Sequence, residues 1–465
     1  MPNTETNKNK NKLERSYTCS VCSTSYPTTR YSKTHYCSPS CRSKARSIKT
    51  ANKRIEKIPY SDNWLWVARE CRRASTVEIL QDVDLEQLFE VYNRRYKCYG
   101  WDSDTKQSKF HLCHISPVSG DGSVGLLHHK NLFIGGSLPN QVQGTKSYKG
   151  AGLSIRSIKL LPKWRVGKDD SDKQVFAKIQ KYLGSKLTDY AKANKITKAN
   201  RFVIAERISK LENNNLPLSD LRKMGTQALM NLEADLTEKD VYSIKLTARR
   251  SLAVYLEELE RFASYDTKEK DDYLFVSAAV RVVAQYLAQQ RGEHGLDSIT
   301  ATSYRWYYEF NPLTAKPDKD LNKLRDFIGF TAFSTLQGAD VEKALITNTL
   351  RKYLQVDTLS VTENGIPAFD ETYTDFSYLK AEVEEFLSNV PKVKEALNIV
   401  GLVDSAALAR ISNNARASSF LQAYQADIQS REYYQYDYSD YNIQMEDDYS
   451  LPSSTSDSWL QTLPF

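Results

Sequence analysis

Apolar residues recur at spacings of three and four over most of the second half of the chain, and that spacing predicts helices. The stretches SLAVYLEELERF, DYLFVSAAVRVVAQYLAQQ, VEKALITNTLRKYL and YLKAEVEEFLSNV carry it most clearly, within a helical pattern from about 173 to 429. The Pro/Lys/Asp stretch at 312–320 and the Thr/Asn/Gly/Pro stretch at 357–367 predict loops or boundaries. Nearer the N-terminus, Ser38-Pro39 offers an N-cap followed by a proline suited to the first helical position. The helix that it opens is expected to run to about Ile58. Two shorter helical patterns follow near 62–73 and 84–97, the second with Leu85, Leu88, Phe89 and Tyr92 on one face. Between 100 and 165 glycine, serine and histidine become common, and the runs FHLCHI, NLFIGG and SIRSIKLL predict short strands between turns. No repeat of fixed period is present. The expected fold class is α+β, mostly α.

Composition changes this picture at the two ends. Residues 1–14 are rich in Asn and Lys, and 431–465 in Tyr and Asp with few aliphatics; both predict unfolded tails, the first basic and the second acidic. A chain of 465 residues exceeds what one core ordinarily supports. The expected division is 15–60 as a finger and basic helix, 61–165 as a mixed module with preceding helices, and 166–430 as helical. The net charge of +7 is unevenly placed: residues 1–60 hold 13 Lys and Arg against 3 acids, whereas 431–465 hold one Arg against 7 acids. A basic head points to a polyanionic partner; a merely solvated face is the alternative. No apolar run reaches the roughly 20 residues that span a bilayer. The polar N-terminus lacks the apolar segment of a secretory signal, so a cytoplasmic location without a membrane partner is expected.

Seven cysteines, an odd number, in such a chain argue against a disulfide framework. Four fall in one window, Cys19, Cys22, Cys37 and Cys41, as C-x2-C, fourteen residues, then C-x3-C. Two close pairs can converge as four thiolates around a structural Zn2+, which a short segment with little apolar content needs in order to fold. Four unlinked thiols are the alternative; His35 is badly placed to replace one. Behind the second pair, Arg42, Arg46, Lys49, Lys53 and Lys57 lie at helical spacings and form one stripe, suited to DNA phosphates. The segment YTCSVC…HYCSPSCRSKAR resembles the N-terminal finger of phage recombination endonucleases of the NinG/Rap type, over about 40 residues.

Four of the six histidines lie between 111 and 129: His111, His114, His128 and His129. Around them, His114-Ile115-Ser116-Pro117, Asn131-Leu132 and, nine residues further on, Asn140 together resemble the His-Me finger, or HNH (ββα-metal), nuclease motif. That resemblance implies a hairpin followed by a helix, with His114 ending the first strand as general base. It implies that Asn131 holds the base in position and that Asn140 binds a catalytic Mg2+ or Mn2+. An Asn131 carbonyl on one ring nitrogen would leave the other free as base. The family often has Asp before the catalytic histidine; here that residue is Cys113, a poor ligand for magnesium. With only Cys98 and Cys113 nearby, no second zinc is expected. Strand alternation turns His111 away from His114. His128 and His129 are candidates for phosphate contact or for structural turn roles, and Asn140 has a helix N-cap as its alternative.

These features lead to the expectation of a metal-dependent DNA endonuclease whose finger binds double-stranded or branched DNA, phage-encoded by its resemblance and acting in the bacterial host. A non-catalytic DNA-binding protein with a degenerate nuclease fold is the alternative, and an RNA binder a third reading. Tyr304, Trp306, Tyr307, Tyr308 and Phe310, beside Arg305, could stack bases or simply form core. The acidic tail ending in Pro464-Phe465 is similar to the tip of bacterial single-strand DNA-binding proteins. That likeness implies docking on a replication or repair protein; an inert tail, or one that restrains the finger by mimicking DNA, are the alternatives. His294 receives no role.

Overall fold

The computed structural model describes residues 15–29, 34–98, 100–102, 107–120, 122–240, 249–291, 308–359, 362–363 and 377–406. Both predicted tails, Pro464-Phe465, His294 and the stretch Tyr304, Arg305, Trp306 and Tyr307 lie outside the described residues. The described protein is mostly helical with several two-stranded sheets. Among the described residues no helix is long and apolar enough to cross a membrane.

In chain order, the elements begin with β1 (Arg15–Thr18), β2 (Ser25–Thr28), α1 (Pro39–Ile55), α2 (Asp62–Arg73) and α3 (Leu85–Cys98). The mixed region holds β3 (Trp101–Asp102), β4 (Gln107–Ser108), β5 (Phe110–His114), β6 (Ser123–Gly125), β7 (Leu132–Gly136), α4 (Ser137–Gln143) and β8 (Ser154–Arg156). Five helices follow: α5 (Asp172–Leu183), α6 (Ser185–Ala193), α7 (Asn200–Ile208), α8 (Leu218–Leu221) and α9 (Thr226–Thr237). The remainder is α10 (Ser251–Ala263), α11 (Lys270–Arg291), β9 (Tyr308–Glu309), β10 (Leu313–Ala315), α12 (Leu321–Leu336), α13 (Lys343–Tyr353), β11 (Leu354–Val356), β12 (Thr362–Glu363) and α14 (Ser377–Ile399).

The chain divides into two compact units. The first runs to Leu80, resumes at Leu161–Val241, and the second holds Gln81–Leu160 and continues from Tyr242. The region 61–165 is therefore split at 80/81 and 160/161, and the helical stretch 166–430 is shared between both units. Where the chain returns to the first unit, a buried acid grips it. Glu78 Oε2 accepts the Leu161 N–H at 2.8 Å, and Thr76 forms a bridge with Arg165. Arg72 holds Asp172 at 2.5 Å, and Arg54 donates to the carbonyls of Ala191 and Lys192 at 2.8 Å each. These contacts tie α2 to α5 and α1 to α6.

The core of the second unit is built from α10, α11, α12, α13 and the end of α14, with Val276, Ala279, Val283, Ile328, Phe333 and Val393 among its buried side chains. Phe310 belongs to this core, so its expected alternative as a base-stacking ring gives way to packing. β5 pairs antiparallel with β7, with Phe110 opposite Gly136 and His114 opposite Leu132. Cys113 and Phe133 enter the large core, while Phe110 and Ile134 pack with Cys98 and Val254. Both faces of the hairpin are covered, which is why its apolar runs are nearly continuous rather than alternating.

A four-thiol cluster and a loop held by Asn131

β1 and β2 form a short hairpin with Arg15 opposite Thr28. Cys19 and Cys22 sit at its tip, where Ser23 takes a positive φ of 58° and the Ser23 N–H donates to the Cys19 carbonyl at 3.0 Å. The second pair straddles the start of α1. Ser38 is the N-cap, its hydroxyl accepting from the Cys41 N–H at 3.2 Å, and Pro39 follows at the first position. Cap and proline together put Cys41 on the first turn, facing Cys37. All four sulfurs lie within 4.8 Å of one another, with Cys22–Cys37 at 3.4 Å and Cys37–Cys41 at 3.5 Å. A tetrahedron with zinc–sulfur bonds of about 2.3 Å has sulfur–sulfur edges of roughly 3.8 Å, so the cluster is compatible with a structural zinc site. The cluster has the polarity such a site needs. Backbone N–H groups, that of Cys37 foremost, bring Cys19 down to about 6, while the neighbouring thiols of Cys22 and Cys41 push Cys37 up to about 12. A divalent cation would remove that mutual opposition by holding all four as thiolates.

Arg42, Arg46, Lys49 and Lys53 are all exposed on α1. None of them forms an ion pair among the described residues. The helix stops at Ile55, so Lys57 falls just beyond the expected stripe.

In the second unit the structure places His114 at the end of β5, half-buried, and Asn131 immediately before β7, fully buried. The Asn131 carboxamide makes four bonds, all to backbone. Its oxygen accepts from Ser116 N–H at 2.9 Å and Leu153 N–H at 3.0 Å; its nitrogen donates to the carbonyls of Ser116 at 3.1 Å and Leu126 at 2.8 Å. Every hydrogen-bonding position of the amide is used. The expectation that its carbonyl orients the His114 ring is thus corrected: both ends of the side chain are engaged in holding together the loop between β5 and β7. Gly152 makes this possible, since its φ is +72° and a Cβ there would come within 2.3 Å of Asn131 Oδ1.

Asn140 is the fourth residue of α4 and does not cap it; Gly136 occupies the N-cap. Its carboxamide nitrogen lies 3.2 Å from His111 Nδ1. Donation by the amide places the His111 proton on Nε2. Burial, and then the nearby Arg95, lower the His111 pKa, which favours this neutral ring. Asn140 is therefore bonded to the histidine that alternation puts on the opposite face from His114. Among the described residues no carboxylate-containing cluster of three or more ligand groups exists; the four cysteines are the one such group. At Asn140 a hard cation would find one amide oxygen, with water and substrate phosphate as its remaining ligands. Cys113 is buried, and burial raises its thiol pKa, so it offers no carboxylate-like ligand.

His128 and His129 are buried, not at a phosphate-facing surface, which corrects their place among the DNA-contacting candidates. Their rings stack with centroids 4.2 Å apart, and His128 Nδ1 accepts from the Lys130 N–H at 3.1 Å as an N-cap. Burial lowers the pKa of both, and the neighbouring His128 helps to bring His129 to about 4. Neutral interior imidazoles supply no positive charge to a phosphate.

Three residues absent from the sequence reading organise this site from α10. Tyr255, Glu258 and Arg261 are spaced by three on one helix face. The Tyr255 hydroxyl accepts from Gly136 N–H at 3.1 Å, Glu258 Oε2 from Ile134 N–H at 3.2 Å, and Arg261 donates to the Leu132 carbonyl at 2.7 Å and the His129 carbonyl at 3.0 Å. Alternate residues of β7 thus find side-chain partners along the edge that faces away from β5, where a sheet would otherwise leave backbone groups unpaired. The sequence does not mark them out, since Glu257 and Glu260 stand beside Glu258 and Arg261 on the same helix.

Comparison with protein-family models, with curated proteins and with solved structures found no match to this chain.

Proposed function

We propose that the protein is a metal-dependent DNA endonuclease that hydrolyses phosphodiester bonds, with a zinc-stabilised finger whose basic helix engages DNA. The observation that carries this reading is the order β5, tied loop, β7, α4, with His114 ending the first strand and Asn131 closing the loop behind it. A strand-end imidazole beside a loop held by the Asn131 amide supports the reading of His114 as a positioned general base. His114 takes a proton from water, the resulting hydroxide attacks phosphorus, and the 3′-oxygen leaves. Asn140, whose amide nitrogen is taken by His111, would offer its oxygen to a divalent cation completed by water and the phosphate, and such an ion would supply charge neutralisation on the substrate. Asn131 acts as a positioning residue, through the backbone of Ser116 and so through the register of the loop that follows His114. The exposed cations of α1 supply affinity that does not depend on base sequence.

A second reading, a DNA-binding protein with a degenerate nuclease fold, is favoured by the buried thiol of Cys113 and by the Asn140–His111 contact. The two are separated by incubating the full-length protein with supercoiled plasmid and with flapped and four-way DNAs, in magnesium and in manganese. The nuclease reading expects nicking that His114→Ala reduces by roughly 100- to 10,000-fold, with DNA affinity and zinc content retained. Absence of cleavage on every substrate and metal, with DNA binding intact, selects the second reading.

A further inference from the structure

The stretch from Gly122 to Lys168 contains eight lysines and arginines and no acidic residue, although the chain averages about one acid in eight residues. The part of this stretch up to Leu160, with five of the eight cations, lies in the second unit and includes the β6–β8 ribbon, with Ser123 opposite Arg156 and Gly125 opposite Ser154. The ribbon ends in a single 3-10 turn over Ser157–Lys159, fixed by the Ser157 N–H donating to the Gly122 carbonyl at 2.9 Å. Ile158 stands at the centre of that turn and is 92% exposed, the most exposed of the large apolar side chains among the described residues. Arg156 and Lys159 flank it, and Lys146 and Lys149 lie on the loop leading into the ribbon; all four are exposed, and none forms an ion pair among the described residues. Leaving one large aliphatic group in water at the tip of a cationic ribbon gains nothing for folding, so the arrangement points to a partner that is both polyanionic and able to receive an apolar tip.

We propose that this ribbon is a second duplex-DNA contact, separate in sequence from the basic helix α1: Lys146, Lys149, Arg156 and Lys159 lie on phosphates and Ile158 wedges against a base step in the minor groove. The proposal rests on DNA being the substrate, and assigns that substrate's duplex form to a defined surface. Tyr148, between Lys146 and Lys149, is 39% exposed, but the tip itself is aliphatic and has no ring to stack on an unpaired base, which favours a duplex over a single strand. One isoleucine buries too little apolar area to hold a protein on a bilayer, which disfavours an anionic membrane.

The test is equilibrium binding of the full-length protein to a short labelled duplex in magnesium-free buffer across a range of sodium chloride concentrations. Replacing Lys146, Lys149, Arg156 and Lys159 together by alanine should lower the slope of log affinity against log salt by about 3 to 4, since each lost phosphate contact removes roughly 0.9. Ile158→Ala should weaken duplex binding about 10-fold while leaving the slope unchanged, as expected for loss of apolar burial alone. Zinc content and thermal unfolding are read in parallel; should the fourfold variant not fold, the single Ile158→Ala variant decides. If the wild type binds duplex and neither the slope nor the Ile158→Ala affinity moves, this surface is not a DNA contact, although DNA remains the substrate. If the wild type does not bind duplex at all, the DNA reading fails and this proposal with it. Binding to phosphatidylserine vesicles that the fourfold variant loses, with duplex binding unaltered, would replace DNA by a membrane as the occupant.

Discussion

Glu258→Gln tests whether α10 holds the edge of β7, and with it the strand that begins at Asn131. Glu258 is fully buried, accepts from Ile134 N–H, and pairs with Arg261 at 2.5 Å and with Arg94 at 3.2 Å. Glutamine keeps the length of the side chain and one carbonyl oxygen, so packing is preserved while the charge is removed. Two guanidinium groups, with side chains only 12% and 21% exposed, then lose their shared counterion. Arg94 keeps Glu257 at 3.2 Å. Arg261 keeps neutral acceptors: the carbonyls of His129 and Leu132 and the Tyr265 hydroxyl. Removing one partner of a buried pair costs about 3–5 kcal/mol when nothing compensates. The remaining contacts argue for the lower end, about 3 kcal/mol, or roughly a 100-fold shift in the local opening equilibrium. The assay is hydrogen exchange read by mass spectrometry on a peptide covering 131–137 in the full-length protein. Tyr255→Phe, which removes a single neutral acceptor from Gly136 N–H, should accelerate exchange in the same peptide only about 5-fold. Unchanged exchange in both variants would refute the reasoning, because the outer edge of β7 would then be protected by something other than α10.

The remaining predictions concern the thiols, the loop and the buried histidines. Atomic emission on the purified protein should find about one zinc per chain, and Cys19→Ser or Cys37→Ser should remove it; retention in both variants would exclude a four-thiolate site. Asn131→Asp keeps the shape of the side chain but turns an oxygen toward the carbonyls of Ser116 and Leu126, so it should destabilise the loop by about 3 kcal/mol, seen as a lowered urea midpoint for the second unit. His129 is held neutral by burial, with a pKa near 4 in the folded protein against about 6.5 unfolded. The unfolded chain therefore binds the extra proton between those values, so stability should fall as pH drops from 6.5 to 4, by at most roughly 3 kcal/mol, and level off below. His129→Phe should flatten that part of the profile of denaturation midpoint against pH, and an equally steep profile in the variant would show that another group titrates there.

The sequence by itself determined the local features of this protein. Ser38-Pro39 starts α1 because a capping hydroxyl and a fixed φ act within one turn, and the paired cysteine spacings bring four sulfurs together because each pair closes over a few residues. Apolar runs in FHLCHI and NLFIGG became β5 and β7, and the three- and four-residue spacing beyond 173 became helices, since both periods are properties of the backbone. Only the tertiary structure decided what the side chains at the site do. The resemblance to the His-Me finger implied that Asn131 holds His114, but its four backbone bonds go to Ser116 and Leu126 in the loop and to Leu153 beyond α4, so its amide holds the backbone and leaves the ring alone. The place of His128 and His129 in the histidine cluster left phosphate contact and a structural turn role both open, yet packing buried both, and burial took away the charge that phosphate contact requires. The clamp from Tyr255, Glu258 and Arg261 reaches residues 119 to 132 positions away, and the return of Leu161 to Glu78 spans 83. Hydrophobic period and capping are decided within a turn or two of chain, whereas the pairing of a buried charge with a distant strand edge depends on which elements pack together. A single sequence carries no local mark of that choice.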